Sequence, residues 1–87
     1  MIRGTTTTGF SFELDEDALD DYELLETLQK IDAGDTTRVI QMVDLLLGEE
    51  QKARLKEHIR TEKGRVSASR MIAETMEIFK SCSTGKN

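Results

Sequence analysis

The spacing of apolar residues changes once along this chain, and the change restricts the fold more than any other feature. In "GFSFELDED", Phe10, Phe12 and Leu14 alternate with polar residues, a period of two that places all three on one face of a β-strand. From Asp15 or Asp17 onward, apolar residues recur every three or four positions, as they do along one face of a helix. We therefore predict an all-α fold, a small bundle of about four helices preceded by a short N-terminal β-like extended segment.

Capping residues and glycines set the limits of the predicted helices. The helices are expected over 15–33 (beginning at Asp15 or Asp17), 35–47, 49–61 and 67–81. Gly48 stands where a residue in the left-handed conformation would end the second helix. The second helix, "RVIQMVDLLL", is almost wholly apolar, so we predict that it is central and buried. The third has a narrow apolar stripe at Leu55 and Ile59 and is predicted to lie outside.

The length of 87 residues suits one small domain. We predict a flexible N-terminus over 1–8, a single helical domain over 9–82 and a flexible C-terminal tail over 83–87. The start, "MIRGTTTTGF", lacks the apolar core of a signal peptide. No apolar run approaches the roughly 20 residues that span a bilayer. We therefore expect the protein in the host cell cytoplasm, without a membrane partner.

Charge is distributed unevenly along the chain. Residues 1–50 hold three basic and thirteen acidic side chains, and residues 51–87 hold nine basic and four acidic, so the halves carry about −10 and +5 within a net charge of −5. In one interpretation the two halves neutralise each other within the folded domain. In the other, the separated charge supports a complementary contact with another chain.

The sequence contains no recognisable pattern for catalysis or metal binding. His58 is the only histidine and has no cysteine at a metal-ligand spacing. Cys82 is the only cysteine and has no nearby histidine to form a nucleophilic pair, so we interpret it as a small hydrophobic residue. The acidic run "ELDEDALDDYE" lacks the residue order of a calcium loop. We expect a protein that is not an enzyme and takes no cofactor or metal.

Surplus apolar surface points instead to protein binding. A single strand leaves backbone groups unpaired until another extended segment, another chain or water meets them. The last helix has an apolar arc wider than one core-facing stripe requires. We predict a partner-binding surface drawn from this strand, the basic third helix and the last helix, and a homo-oligomer is one form it could take. Its candidate residues are Phe10, Phe12, Leu14, Lys52, Lys56, Arg60, Met71 and Ile78.

Three segments together resemble a known family: "GFSFELDEDALDDYELLETLQKID", "LLLGEEQKARLKEHIRTEKGRVS" and "MEIFK". They are similar to the small tail assembly chaperones of long-tailed phages and prophages of Gram-positive bacteria, over about residues 9–80. The resemblance implies a helical, non-catalytic protein that associates with the tape measure protein and the tail tube protein while the tail is built. Ser67 departs from the family, which often has proline there. The family is often made in two lengths by ribosomal slippage, and Gly85-Lys86 is a candidate slip position that sequencing the gene would test.

A small regulatory protein, antitoxin-like or with a helix-turn-helix, is the alternative function. Residues 45–67 carry many basic side chains and can be aligned with a helix-turn-helix. However, the chain as a whole is acidic, and no aromatic residue is interleaved with the basic ones. We therefore expect no nucleic-acid partner, and a DNA gel shift at low salt separates the two classes because DNA binding depends strongly on salt.

Overall fold

The computed structural model describes residues 1–84, and within them the fold is mainly helical. Gly85-Lys86 and the rest of 85–87 lie outside the described residues, so the slip position is not tested there. Every helix across residues 1–84 is too short or too polar to span a lipid bilayer. The elements in order are β1 (Ile2–Thr5), β2 (Ser11–Leu14), α1 (Glu16–Leu19), α2 (Tyr22–Asp32), a 3₁₀ turn (Thr36–Arg38), α3 (Val39–Ile59) and α4 (Ala68–Thr84).

A β-hairpin corrects the all-α prediction. The strand expected from the alternating residues is present as β2, and β1 pairs with it antiparallel, with Ile2 opposite Leu14 and Gly4 opposite Phe12. The partner strand thus comes from residues 1–8, for which the sequence alone predicts a flexible N-terminus. Gly4 permits this pairing because a Cβ there would lie 2.7 Å from Cζ of Phe12.

Two aspartates divide the first predicted helix. The Asp15 side chain accepts a hydrogen bond from Asp17 N at 3.0 Å, and Asp21 accepts one from Glu23 N at 2.8 Å. Each aspartate therefore caps a separate helix, because a capping side chain satisfies a backbone donor that the first turn leaves unpaired. The prediction of one helix over 15–33 becomes two, α1 and α2, in the structure.

Gly48 bends α3 rather than separating two helices. It has φ 79° and ψ 173°, a non-helical conformation inside an element that continues to Ile59. The residue predicted to end a helix is therefore confirmed as the break, although the helix resumes immediately. The part of α3 before Gly48 is largely buried, as predicted, but Ile40 is 70% exposed. After Gly48, Leu55 and Ile59 are buried on a helix whose other faces are mostly exposed.

Gly48→Ala is expected to destabilise the protein by about 1–3 kcal/mol, because non-glycine residues pay that strain in this backbone region. A Cβ at Gly48 would meet nothing within 4 Å, so the effect comes from the backbone and not from a clash. Urea unfolding followed by circular dichroism measures the change. Glu50→Ala, at an exposed position of the same helix, is the control and should shift stability by less than about 0.5 kcal/mol. Equal midpoints for the two variants would contradict the bend.

The hydrophobic core joins the hairpin to the helices. The second strand and helices α2, α3 and α4 all contribute residues to it, so no element forms a separate domain among the described residues. Cys82 is buried at the far end of α4, consistent with a small hydrophobic residue, and burial raises the pKa of its thiol. The buried apolar residues are Phe10, Phe12, Leu14, Leu24, Val39, Met42, Val43, Leu46, Leu47, Leu55, Ile59, Ile78 and Cys82.

Candidate protein-binding groove

An apolar groove with a volume of about 520 Å³ opens between the first turns of α3 and of α4. Helix α3 contributes residues from both sides of its bend, so the conformation of Gly48 brings two distant parts of the sequence to one site. The loop before α4 contributes Val66 to the lining. The groove is lined by Thr36, Thr37, Val39, Ile40, Val43, Lys52, Lys56, Val66, Ala68, Met71 and Ile72.

The walls of the groove are aliphatic and partly open to solvent. Val39 and Val43 are buried at its base, with 7% and 2% exposure. Met71 and Ile72 on α4 are half-buried, whereas Ile40 is 70% exposed. Large exposed apolar side chains beside a concavity are typical of binding surfaces.

Two lysines bring positive charge to the groove. Lys52 Nζ donates hydrogen bonds to Asp44 Oδ1 at 2.7 Å and to Glu49 Oε2 at 3.2 Å. These bonds, the one to Asp44 first, raise the pKa of Lys52, so its ammonium stays charged and is held in place. Lys56 is exposed and forms no salt bridge within residues 1–84. Lys56 is therefore the cation most able to meet a carboxylate of a bound partner.

Three of the residues predicted for partner binding meet at this groove, namely Lys52, Lys56 and Met71. Arg60 does not line it. Instead, Arg60 donates to both carboxylate oxygens of Glu57, at 2.7 to 3.1 Å, and to the Gly64 carbonyl at 2.8 Å. The hydrogen bonds with Glu57 raise the pKa of Arg60 and lower that of Glu57. Arg60 thus links the loop that follows α3, through the Gly64 carbonyl, to Glu57 in the last turn of that helix.

The four other residues predicted for partner binding lie in the hydrophobic core of this structure. Phe10 and Phe12 are 4% exposed, Leu14 is 1% exposed and Ile78 is fully buried. Their side chains pack against α3 and the other helices and are not accessible to another chain in this conformation. An apolar face on a strand or helix has the same sequence pattern whether its own core or a partner covers it.

Ile40 is the most informative groove residue that sequence reasoning missed. The prediction placed it with the buried residues of the central helix, yet it is exposed. The sequence feature that indicates its exposure is Asp44, which follows it by four residues. Residues at i and i+4 share a face of a helix, and Asp44 is also exposed, so Ile40 lies on the solvent side of α3. Val66 and Ile72 complete the groove only through tertiary packing.

A polar cluster at the hairpin loop is the other notable group of titratable side chains. Thr8 Oγ1 donates to Glu74 Oε2 at 2.6 Å and lies 3.0 Å from His58 Nε2. Since a hydroxyl carries one proton, His58 Nε2–H is the donor in the second contact. The Glu77 carboxylate accepts from Thr7 N at 2.7 Å and from Thr7 Oγ1 at 3.0 Å. These contacts tie the hairpin loop to α4, which gives the cluster a structural role.

The chemistry of the groove defines the ligand that fits it. Aliphatic walls favour an apolar side chain, and lysines beside them favour a neighbouring carboxylate. An amphipathic helix carries both in register when it binds a groove through residues three or four positions apart. Within residues 1–84, no three histidine, cysteine, aspartate or glutamate side chains are grouped so that they could hold a metal ion. Comparisons with family models, curated proteins and solved structures give no match to the chain.

Proposed function

We propose that this protein is a non-catalytic protein-binding module that serves as a tail assembly chaperone of a long-tailed phage or prophage. In this proposal it engages the tape measure protein and the tail tube protein in the host cell cytoplasm while the tail is built. The resemblance of residues 9–80 to the small tail assembly chaperones suggests that the protein acts in phage tail assembly. The observation that carries protein binding is the apolar groove with Lys52 and Lys56 beside it. Its proposed occupant is an amphipathic helix of the tape measure protein, with aliphatic residues on one face and acidic residues next to them.

The energetics of the groove suit a transient helical ligand. Each aliphatic side chain of the ligand that becomes fully buried contributes about 1.5–3 kcal/mol. Ile40 is 70% exposed in the free protein, so its burial by the ligand adds favourable hydrophobic free energy to binding. A carboxylate that reaches Lys56 orients the ligand and speeds association more than it adds affinity. A chaperone that is released when the tail is complete needs this kind of reversible contact.

Three basic side chains of the second half of the chain, Lys52, Arg54 and Arg60, are engaged within the protein, which disfavours the nucleic-acid alternative. Lys52 pairs with Asp44 and Glu49, and Arg60 pairs with Glu57. The Arg54 guanidinium lies over the Phe10 ring, 5.4 Å from its centroid. Phosphate binding would have to replace these contacts, because each basic side chain contributes by neutralising a phosphate.

Ile40→Asp is expected to weaken binding of the tape measure protein at least tenfold. The new carboxylate lies against the apolar walls and repels the acidic residues of the ligand. The substitution should leave folding intact, because Ile40 is exposed and an acid in the first turn of a helix is favoured by the helix dipole. Isothermal titration calorimetry with the purified tape measure protein measures the affinity.

Gln41→Asp is the matched control for this experiment. It introduces the same carboxylate one residue later in the same turn of α3, at an exposed position that does not line the groove. It should bind the tape measure protein as tightly as the unmodified protein does. Equal affinities for the Ile40→Asp and Gln41→Asp variants would contradict the groove as the client site. Strongly salt-dependent binding of nonspecific DNA, with no binding of either tail protein, would support the regulatory alternative.

A further inference from the structure

Helix α2 exposes an apolar pair that its own fold does not cover. Tyr22 is 74% exposed and Leu25 is 53% exposed, although both are large apolar residues. They are three residues apart, so they lie on the same side of the helix. Together with Met1 and Ile40, they are the large hydrophobic residues that the part of the chain spanning 1–84 leaves exposed.

Acidic residues surround this pair. Asp20, Glu23 and Glu26 are exposed next to Tyr22 and Leu25. Glu26, which follows Leu25 directly and lies one turn after Tyr22, forms no salt bridge within residues 1–84. We call Tyr22, Leu25 and Glu26 the α2 face. It has the combination that the groove fits, namely apolar side chains with a carboxylate beside them.

We propose that the α2 face of one copy docks into the groove of a second copy of this chain. Charge complementarity favours this occupant: residues 1–50 carry thirteen acidic and three basic side chains, whereas Lys52 and Lys56 lie at the groove. The inference rests on the proposed function, because it assigns a regulatory state to the same groove. Self-association covers the apolar walls until a client helix displaces the neighbouring copy.

The geometry of this contact is head to tail. The α2 face and the groove are different surfaces of one molecule, so each docked copy leaves one groove and one α2 face unoccupied. Such a heterologous contact repeats, and it gives a closed ring or an open chain rather than a two-fold dimer. Two anchoring side chains bury much less than the roughly 1,200 Å² of a stable interface, so the contact is weak enough for a client to displace.

Mixing two variants tests the proposal by sedimentation velocity. The groove variant is Ile40→Asp, and the face variant combines Tyr22→Ser with Leu25→Ser. Both changes fall at exposed positions, so each variant should melt close to the unmodified protein. The unmodified protein is expected to increase in mass with concentration, and each variant alone to stay monomeric at the same concentrations. An equimolar mixture should form a heterodimer and stop there, because it has one intact groove for one intact α2 face.

The outcomes separate this inference from the proposed function. A monomeric unmodified protein at millimolar concentration, a variant that still associates alone, or a mixture that stays monomeric would each overturn the head-to-tail contact. If the unmodified protein is monomeric while Ile40→Asp still abolishes tape measure binding, the inference fails and the proposed function stands. If the mixture forms the heterodimer but no tail protein binds, the inference stands and the proposed function fails. The face variant should bind the tape measure protein at least as tightly as the unmodified protein.

Discussion

Leu46→Asp is expected to unfold the protein. Leu46 is 3% exposed and belongs to the core cluster in the part of α3 that precedes Gly48. An unpaired carboxylate there costs several kcal/mol, because no cation or donor replaces the water it loses. A small domain is stable by only about 5 kcal/mol, so the substitution removes most or all of that stability. Circular dichroism should show loss of helix and no cooperative thermal transition.

Lys56→Glu is the control for this prediction. It reverses a charge on the same helix, but Lys56 is exposed and outside the core. Exposed charge substitutions usually shift stability by less than about 0.5 kcal/mol, so its melting temperature should stay near that of the unmodified protein. A folded Leu46→Asp variant with an unchanged melting temperature would contradict the central place of α3.

The sequence predicts local structure well where a short residue pattern or a single residue determines it. The alternation of Phe10, Phe12 and Leu14 correctly places a strand and its buried face. Gly48 is correctly identified as the residue where the helix is interrupted. The pairing strand β1 is not predicted, because "IRGTTTT" has a single large apolar residue, Ile2. Its strand conformation depends on pairing with residues that lie six to twelve positions later in the sequence.

The candidate site is less accessible to sequence reasoning, because tertiary packing creates it. The bend at Gly48 brings Lys52 and Lys56 beside Ile40, and α4 then supplies Met71. The sequence identifies the two lysines and Met71 as candidates from charge and periodicity alone. It does not reveal that they share a groove, since the direction in which a chain leaves a glycine is set by the packing of the helices on either side.

The two charged halves of the chain partly neutralise each other, in line with the first interpretation of the charge distribution. Lys52, in the basic half, forms salt bridges with Asp44 and Glu49 of the acidic half. The acidic residues of α2 are different, because Glu26 forms no salt bridge within the described part of the chain. The first interpretation therefore applies at Lys52, and the second, a contact with another chain, stays a prediction that mixing the variants tests.

Phe10→Ser combined with Phe12→Ser is expected to unfold the protein. The sequence alone predicts that these substitutions weaken partner binding more than they lower stability, because the strand looks unpaired. The structure reverses the expectation, since both rings are 4% exposed within the core. The Phe10 ring centroid lies 5.5 Å from that of His58, and Phe12 packs beneath Gly4 of the paired strand. Each loss of a buried phenylalanine costs about 3–5 kcal/mol, so two exceed the stability of a small domain.

Tyr22→Ser is the matched control, because it removes an aromatic ring that is 74% exposed. Its stability should change by less than about 0.5 kcal/mol, since little buried surface is lost. Limited proteolysis and circular dichroism compare the variants: the double variant should be digested rapidly and show little helix, and the Tyr22→Ser variant should resist as the unmodified protein does. A folded double variant that no longer bound the tape measure protein would return Phe10 and Phe12 to the partner surface, because binding would then depend on rings that the fold does not need.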